Sequence, residues 1–138
     1  MQTLEEILNE VSDEQTMHLE VAPDLACFVL VREALLDLCE GFARVKDVIL
    51  ALDEAFANVC AYSGATEVEF DMDYVDGRCV VTMTDDGVAF DPLEVSEELP
   101  DFDDMPGGGM GIILMKQVAD EILYRRLEDR NVLTMWFT

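Results

Sequence analysis

EVEFDMDYVDGRCVVTMTD, residues 67–85, alternates along its first half: Val68, Phe70, Met72 and Tyr74 fall on one side, and Glu67, Glu69, Asp71 and Asp73 on the other. Period-two alternation predicts a strand with one apolar and one wet face. Asp76-Gly77 is a hairpin signal, because both residues tolerate the positive φ of a tight turn. The return strand, 78–85, carries Cys79, Val81 and Met83 on its inner face, and Asp85 continues that face at the strand's end. A carboxylate turned toward the core side needs a donor. Strands of this kind bury one face only, so helices belong on that face and water on the other.

The flanking segments agree. Residues 16–21 alternate, with Met17, Leu19 and Val21 opposite Thr16, His18 and Glu20. Pro23 and Asp24 open a helix whose expected stripe is Leu25, Phe28, Val29, Leu35, Leu36 and Cys39, with Gly41 as its stop. A second helix, roughly 44–62, has the stripe Val45, Val48, Ile49, Leu52, Ala55, Phe56 and Val59 and ends at Ser63-Gly64. Residues 91–106 hold three prolines and seven acids without periodicity, which reads as a loop or lid. A glycine cluster, a helix near 110–119 and two strands, 121–127 and 131–137, complete the chain. Residues 3–12, with Leu4, Ile7, Leu8 and Val11 on one face, suit a short amphipathic helix. The expected architecture is an α+β, two-layer α/β sandwich. Its sheet is mixed but mostly antiparallel, with helices on one face. Residues 1–15 form an N-terminal helical extension, and 16–138 a single domain with a lid at 91–106.

Composition narrows the function. The 138 residues suit one compact domain, and 51% hydrophobic content opposes disorder. Eight Lys and Arg against 31 Asp and Glu give a formal charge of −23. That argues against direct nucleic-acid binding through phosphates and opposes anionic membrane surfaces. Any phosphate ligand needs Mg²⁺ and backbone amides here. Cys27, Cys39, Cys60 and Cys79 lack CxxC spacing and lie in apolar runs, which predicts buried free thiols in a reducing cytoplasm. The only histidine, His18, is isolated, so a zinc site is not expected. No basic n-region precedes an apolar segment at the start, and no run is long enough to cross a bilayer.

Three patches carry chemistry. Glu54 and Asn58 lie at i and i+4, on one side of the second helix. Such a pair is ordinarily a solvated helix face. Functionally, the carboxylate can activate a hydroxyl while the amide oxygen holds Mg²⁺. Asp85-Asp86-Gly87 reads as a turn after a strand, but the inward Asp85 could take a hydrogen bond from the exocyclic amine of adenine. Gly107-Gly108-Gly109-Met110-Gly111 reads either as a linker or as a helix start whose free amides cradle phosphate. It is neither a Walker A loop nor a Rossmann turn, since no Gly-Lys-Ser/Thr follows and no strand leads directly into it.

The order and spacing of these patches resemble the GHKL ATPase superfamily, whose ATP-binding domain is the Bergerat fold. Within it, the chain is most similar to the anti-sigma-factor serine/threonine kinases of bacteria. LDEAFANVCAYSGA resembles their N box, DDGVAFDP their D-x-G-x-G-F-D-P box, and GGGMGIILMKQVADEILY their glycine box. The resemblance spans roughly 16–138. It implies that Glu54 is the general base, Asn58 the Mg²⁺ ligand and Asp85 the acceptor for the adenine amine. Gly87 lets the base approach, and Ala89 stands where the family usually has a second glycine. Gly107, Gly109, Met110 and Gly111 wrap the phosphates, and 91–106 is the ATP lid. The activity so implied is transfer of the ATP γ-phosphoryl group to a STAS-domain anti-sigma antagonist. A sigma factor is the competing partner, and homodimers are part of the resemblance. The alternative is a Bergerat-fold interaction module that sequesters a partner with little or no catalysis. A histidine-kinase fragment would need a phosphoacceptor histidine on a dimerisation helix, whereas His18 falls in an expected strand.

Overall fold

The computed structural model describes residues 16–92 and 108–138. The expected helix at 3–12, Gly107 and nearly all of the expected lid lie outside the described residues. Among the described residues five strands form one sheet: β1 (Thr16–Val21), β2 (Val68–Val75), β3 (Arg78–Asp85), β4 (Glu121–Leu127) and β5 (Arg130–Phe137). Their order is β1-β2-β3-β5-β4, and every pairing among the described residues is antiparallel, where a mixed sheet was expected. Asp76 and Gly77 both take positive φ, 53° and 74°, which lets β3 fold straight back on β2.

The helices are α1 (Phe28–Leu38), α2 (Val45–Asn58) and α3 (Gly108–Val118). They cover one sheet face, where Val68, Phe70, Met72, Val81 and Met135 are fully buried. Phe56 of α2 joins the layers, its ring 6.0 Å from Phe28 of α1 and 5.7 Å from Phe70 of β2. Burying a side chain of this size stabilises the fold by about 2–3 kcal/mol. The alternation of 67–85 is observed as expected, and Asp85 is the last inward residue of β3, 2% exposed.

The first helix departs from its expected stripe. Leu25, Val29 and Leu36 are exposed, and the buried face is Phe28, Val31, Ala34, Leu35 and Leu38. The reason is local. Asp24 caps a 3-10 turn over Leu25–Cys27, its carboxylate accepting from the Ala26 amide at 3.0 Å. That turn takes Leu25 out of the α-helical phase, whereas Val29 and Leu36 each follow a buried residue, Phe28 and Leu35, by one position, about 100° round the same helix and off its buried arc. The thiols also divide. Cys39 and Cys79 are buried, 3.7 Å apart, whereas Cys27 and Cys60 are only half-buried. Among the described residues no helix is long and apolar enough to cross a membrane.

Candidate functional site

Helix α2 ends as an α-helix at Asn58 and continues as a wider π turn, Val59–Ser63. The apolar stripe predicts one continuous helix over roughly 44–62. The π turn is closed by Gly64, whose left-handed φ of 67° reverses the chain. Ser63 stabilises this exit from both sides: its Oγ donates to the Val59 carbonyl at 2.7 Å and accepts from the Ala65 amide at 3.0 Å.

The acidic turn after β3 docks on that exit. The Val88 amide donates to the Ser63 carbonyl at 2.8 Å. A Cβ on Gly87 would stand 2.5 Å from Ser63 Cβ and 2.6 Å from its carbonyl oxygen, so only glycine fits. The close approach that Gly87 permits in the described structure is thus to Ser63 at the end of α2. Asp85 and Asp86 have opposite roles. Asp86 turns outward and accepts from the Thr66 amide at 2.7 Å, the Glu67 amide at 3.1 Å and the Thr66 hydroxyl. Those bonds, the Thr66 hydroxyl foremost, hold its carboxyl down at about 2. Asp85 turns inward, and its Oδ1 accepts from the Gly87 amide at 2.9 Å and from Asn131 Nδ2 at 3.0 Å.

Between α2, β3, β5, α3 and the turn lies a cleft of about 600 Å³, its open mouth included. Asp85 and Asn131 stand at its polar end. Met83, Leu133 and Met115 supply apolar walls, and Val88, Ala89 and Phe90 line it from the acidic turn. Asn58 lines it from α2. Asn58 Nδ2 donates back to the Glu54 carbonyl at 2.9 Å. That bond uses one of the two N–H donors and assigns the amide nitrogen to the helix side, so the carbonyl oxygen is the acceptor this side chain has available. Glu54 is half-buried one turn earlier and is not part of the lining. Burial pushes its carboxyl up, and the neighbouring charge of Asp53 adds to this. Gly109, Met110 and Gly111 fall in the opening turns of α3, whose Met115 reaches the cleft. The structure therefore brings together Asn58, Asp85 and Ala89, with Glu54 adjacent.

Asn131, Tyr124 and Ser63 were not singled out from sequence. Asn131 could have been found, because β5 alternates with Leu133, Met135 and Phe137 inward and Asn131 is the next inward position. Its cross-strand partner is Asp85. A polar residue on the core face opposite a carboxylate is the signal.

Comparison with known proteins agrees with this geometry. A family model described as a histidine kinase-like ATPase domain matches residues 25–137. No curated protein matches the sequence. Among solved structures, the RsbU and RsbW domains of a Mycobacterium tuberculosis protein align with a TM-score of 0.63 and 14% identity. That alignment covers 88% of this chain and 31% of the other, so this chain spans under a third of that polypeptide. A chain of the SiaB–SiaC complex from Pseudomonas aeruginosa aligns with a TM-score of 0.54 and 12% identity, covering 99% of this chain and 98% of its own. At these identities the likeness is one of fold.

Proposed function

The chain belongs to the histidine kinase-like ATPase domain family, the GHKL superfamily with its Bergerat fold, and on that premise we propose that it is an ATP-dependent serine/threonine protein kinase. Its substrate in this reading is a STAS-domain anti-sigma antagonist within a partner-switching system, and a sigma factor is the competing partner. The observation that carries the reading is the pairing of Asn58 and Asp85 in one cleft, with Glu54 a helical turn from Asn58. The likeness to an RsbW domain and to a protein solved in complex with SiaC supports a partner-directed activity.

Each residue then has a physical task. Asp85 is an acceptor beside an apolar wall, which suits the exocyclic amine of adenine over Met83 and Leu133. Asn58 would hold Mg²⁺ through its carbonyl oxygen. An amide oxygen is a hard donor of the kind Mg²⁺ takes, and the substrate's phosphates and water would complete its shell. Bound there, Mg²⁺ supplies charge neutralisation of the triphosphate, and a protein of formal charge −23 needs it. The opening turns of α3 supply backbone amides for phosphate oxygens, with Gly107, Gly109, Met110 and Gly111 as the expected contacts. Glu54 accepts the proton of a serine or threonine hydroxyl. The freed oxygen attacks the γ-phosphorus, the bond to the β-phosphate oxygen breaks, and ADP leaves. A carboxyl raised by burial is a stronger base when ionised, which suits this task.

A second reading, an interaction module with weak or no catalysis, is favoured by the apolar stripe Leu25, Val29 and Leu36 exposed along the first helical segment. One assay separates the two. Purified protein is mixed with labelled ATP, Mg²⁺ and a STAS-domain protein, and label on the STAS protein is followed. Incorporation that Glu54→Gln lowers about 10²–10⁴-fold identifies the kinase. Stable STAS binding with no incorporation identifies the module.

A further inference from the structure

We propose that Asn131 is a positioning residue for base recognition: it fixes the Asp85 carboxylate and the 88–90 wall of the cleft without touching the ligand itself. The inference rests on reading Asp85 as the acceptor for a base amine and extends that reading to residues on β4 and β5.

The amide of Asn131 is fully committed within the protein. Nδ2 donates to Asp85 Oδ1 at 3.0 Å and to the Val88 carbonyl at 2.8 Å. Oδ1 accepts from the Tyr124 hydroxyl at 2.5 Å and from the Phe90 amide at 3.3 Å. An asparagine amide has two N–H donors and two acceptor lone pairs, so none is left for a ligand. Its orientation is also fixed. Exchanging N and O would set the amide oxygen against a carboxylate and a carbonyl, and the amide nitrogen against two donors. At 6% exposure, the side chain could not recover such losses from water.

The consequence falls on Asp85. Its Oδ1 takes the Asn131 and Gly87 donors, so the carboxylate cannot rotate without losing both. Oδ2 becomes the oxygen offered to the cleft. A carboxylate oxygen accepts from an N–H but repels a carbonyl, so the site selects a purine with an amine at that position. The same asparagine ties Val88 and Phe90, which flank Ala89 in the cleft wall, to the acceptor it holds. Arg126 completes the clamp from β4, donating to the Gly87 carbonyl at 2.8 Å. Tyr124, which also lines the cleft, is the last member of the network, its hydroxyl donating to the amide oxygen of Asn131.

The test compares ATP with purine riboside triphosphate, which lacks only the six-amino group, by titration with Mg²⁺ into the full chain. Wild-type protein is expected to bind ATP about tenfold more tightly than the analogue. In Asn131→Ala that ratio falls toward one, because ATP loses more affinity than the analogue does. A purely structural role would weaken both triphosphates together and leave the ratio intact. Tyr124→Phe keeps the ring and lowers the ratio about two- to threefold, and it carries the test if Asn131→Ala does not fold. Wild-type ratios in folded variants, confirmed by circular-dichroism melts, overturn the inference. Wild-type protein that binds both triphosphates equally, or neither, is a separate result. It overturns the reading of Asp85 itself, and this inference with it.

Discussion

The two ends of helix α2 use their polar groups in opposite ways. At the N-terminal end, Arg44 ties three elements into a fixed base. Its guanidinium donates to Asp120 at 2.8 Å, to Asp47 at 3.2 Å, to the Thr138 carbonyl at 3.3 Å and to the Val118 carbonyl at the end of α3. It also lies over the Phe137 ring at 5.7 Å. Asp120 in turn takes the Thr138 amide at 2.6 Å. At the C-terminal end the helix loosens into a π turn, and Asn58 keeps its carbonyl oxygen available. A π turn inside a helix commonly marks a functional position. The contrast teaches a division of labour along one helix. Contacts at the N-terminal end hold α2, α3 and β5 together, and the C-terminal end, beyond the bonds that Ser63 makes, places Asn58 in the cleft lining. Substitutions at the C-terminal end should therefore change function, and those at the base should change stability.

The largest effect is expected at the cleft end. Asn58→Ala removes the proposed Mg²⁺ ligand and is expected to weaken Mg²⁺-ATP binding about 100-fold, roughly 2.7 kcal/mol. The melting temperature should stay near that of the wild type, since Asn58 is half-buried and its amide nitrogen bonds back to its own helix. Isothermal titration with and without Mg²⁺ reads this directly. Wild-type Mg²⁺ dependence surviving in the variant would remove Asn58 from the metal site.

The same contrast explains what could be read from the sequence. The strands were legible because 67–85 alternates along most of its length, and a one-residue slip would turn Phe70 and Met72 into water. The inward Asp85 followed from that parity. Helix α1 was less legible, because apolar residues surround it on more than one side and the 3-10 turn at Leu25–Cys27 takes Leu25 out of phase. The anchoring contacts were invisible for another reason. Arg44 and Asp120 are 76 residues apart, and nothing local announces that they meet. Asn131 and Asp85 also meet only once β3 and β5 are paired. Glu54 and Asn58 were legible because both lie on one helix at i and i+4. What the helix ends hold across the fold needed the tertiary structure.

At the base, Arg44→Ala sharpens the comparison with a smaller effect. Asp120 is 39% exposed on its side chain, so solvent screens the pair. The expected loss is about 1 kcal/mol, or about 3–4 °C in Tm for a chain of this size. Arg44 first, and then the Thr138 amide, hold the Asp120 carboxyl below its ordinary value. The stability this contributes is present above the unfolded-state pKa and is lost as pH falls through the lowered folded one. The gap in Tm between wild type and variant should therefore narrow in acid, and ATP affinity at neutral pH should be unchanged. A variant with the wild-type Tm and weakened ATP binding would reverse the assignment of the two ends.

The smallest effect tests whether Glu54 is a base at all. Its carboxyl is raised first by burial and second by the charge of Asp53. As a base it must be ionised, so kcat/KM should fall as pH drops through that raised value, above the range of an ordinary glutamate. Asp53→Asn removes only the second cause. The acidic limb should then move to lower pH by less than its whole displacement, because burial remains. Added salt should shift the wild-type limb the same way, since it screens a charge–charge term and leaves burial alone. Stability has a matching sign. A carboxyl raised by folding contributes stability below its unfolded pKa that is lost as pH rises through the folded one. Asp53→Asn reduces that loss and should stabilise the protein slightly at neutral pH. A limb that moves upward in Asp53→Asn, or that stays fixed in both Asp53→Asn and high salt, would mean that the titrating group is not Glu54.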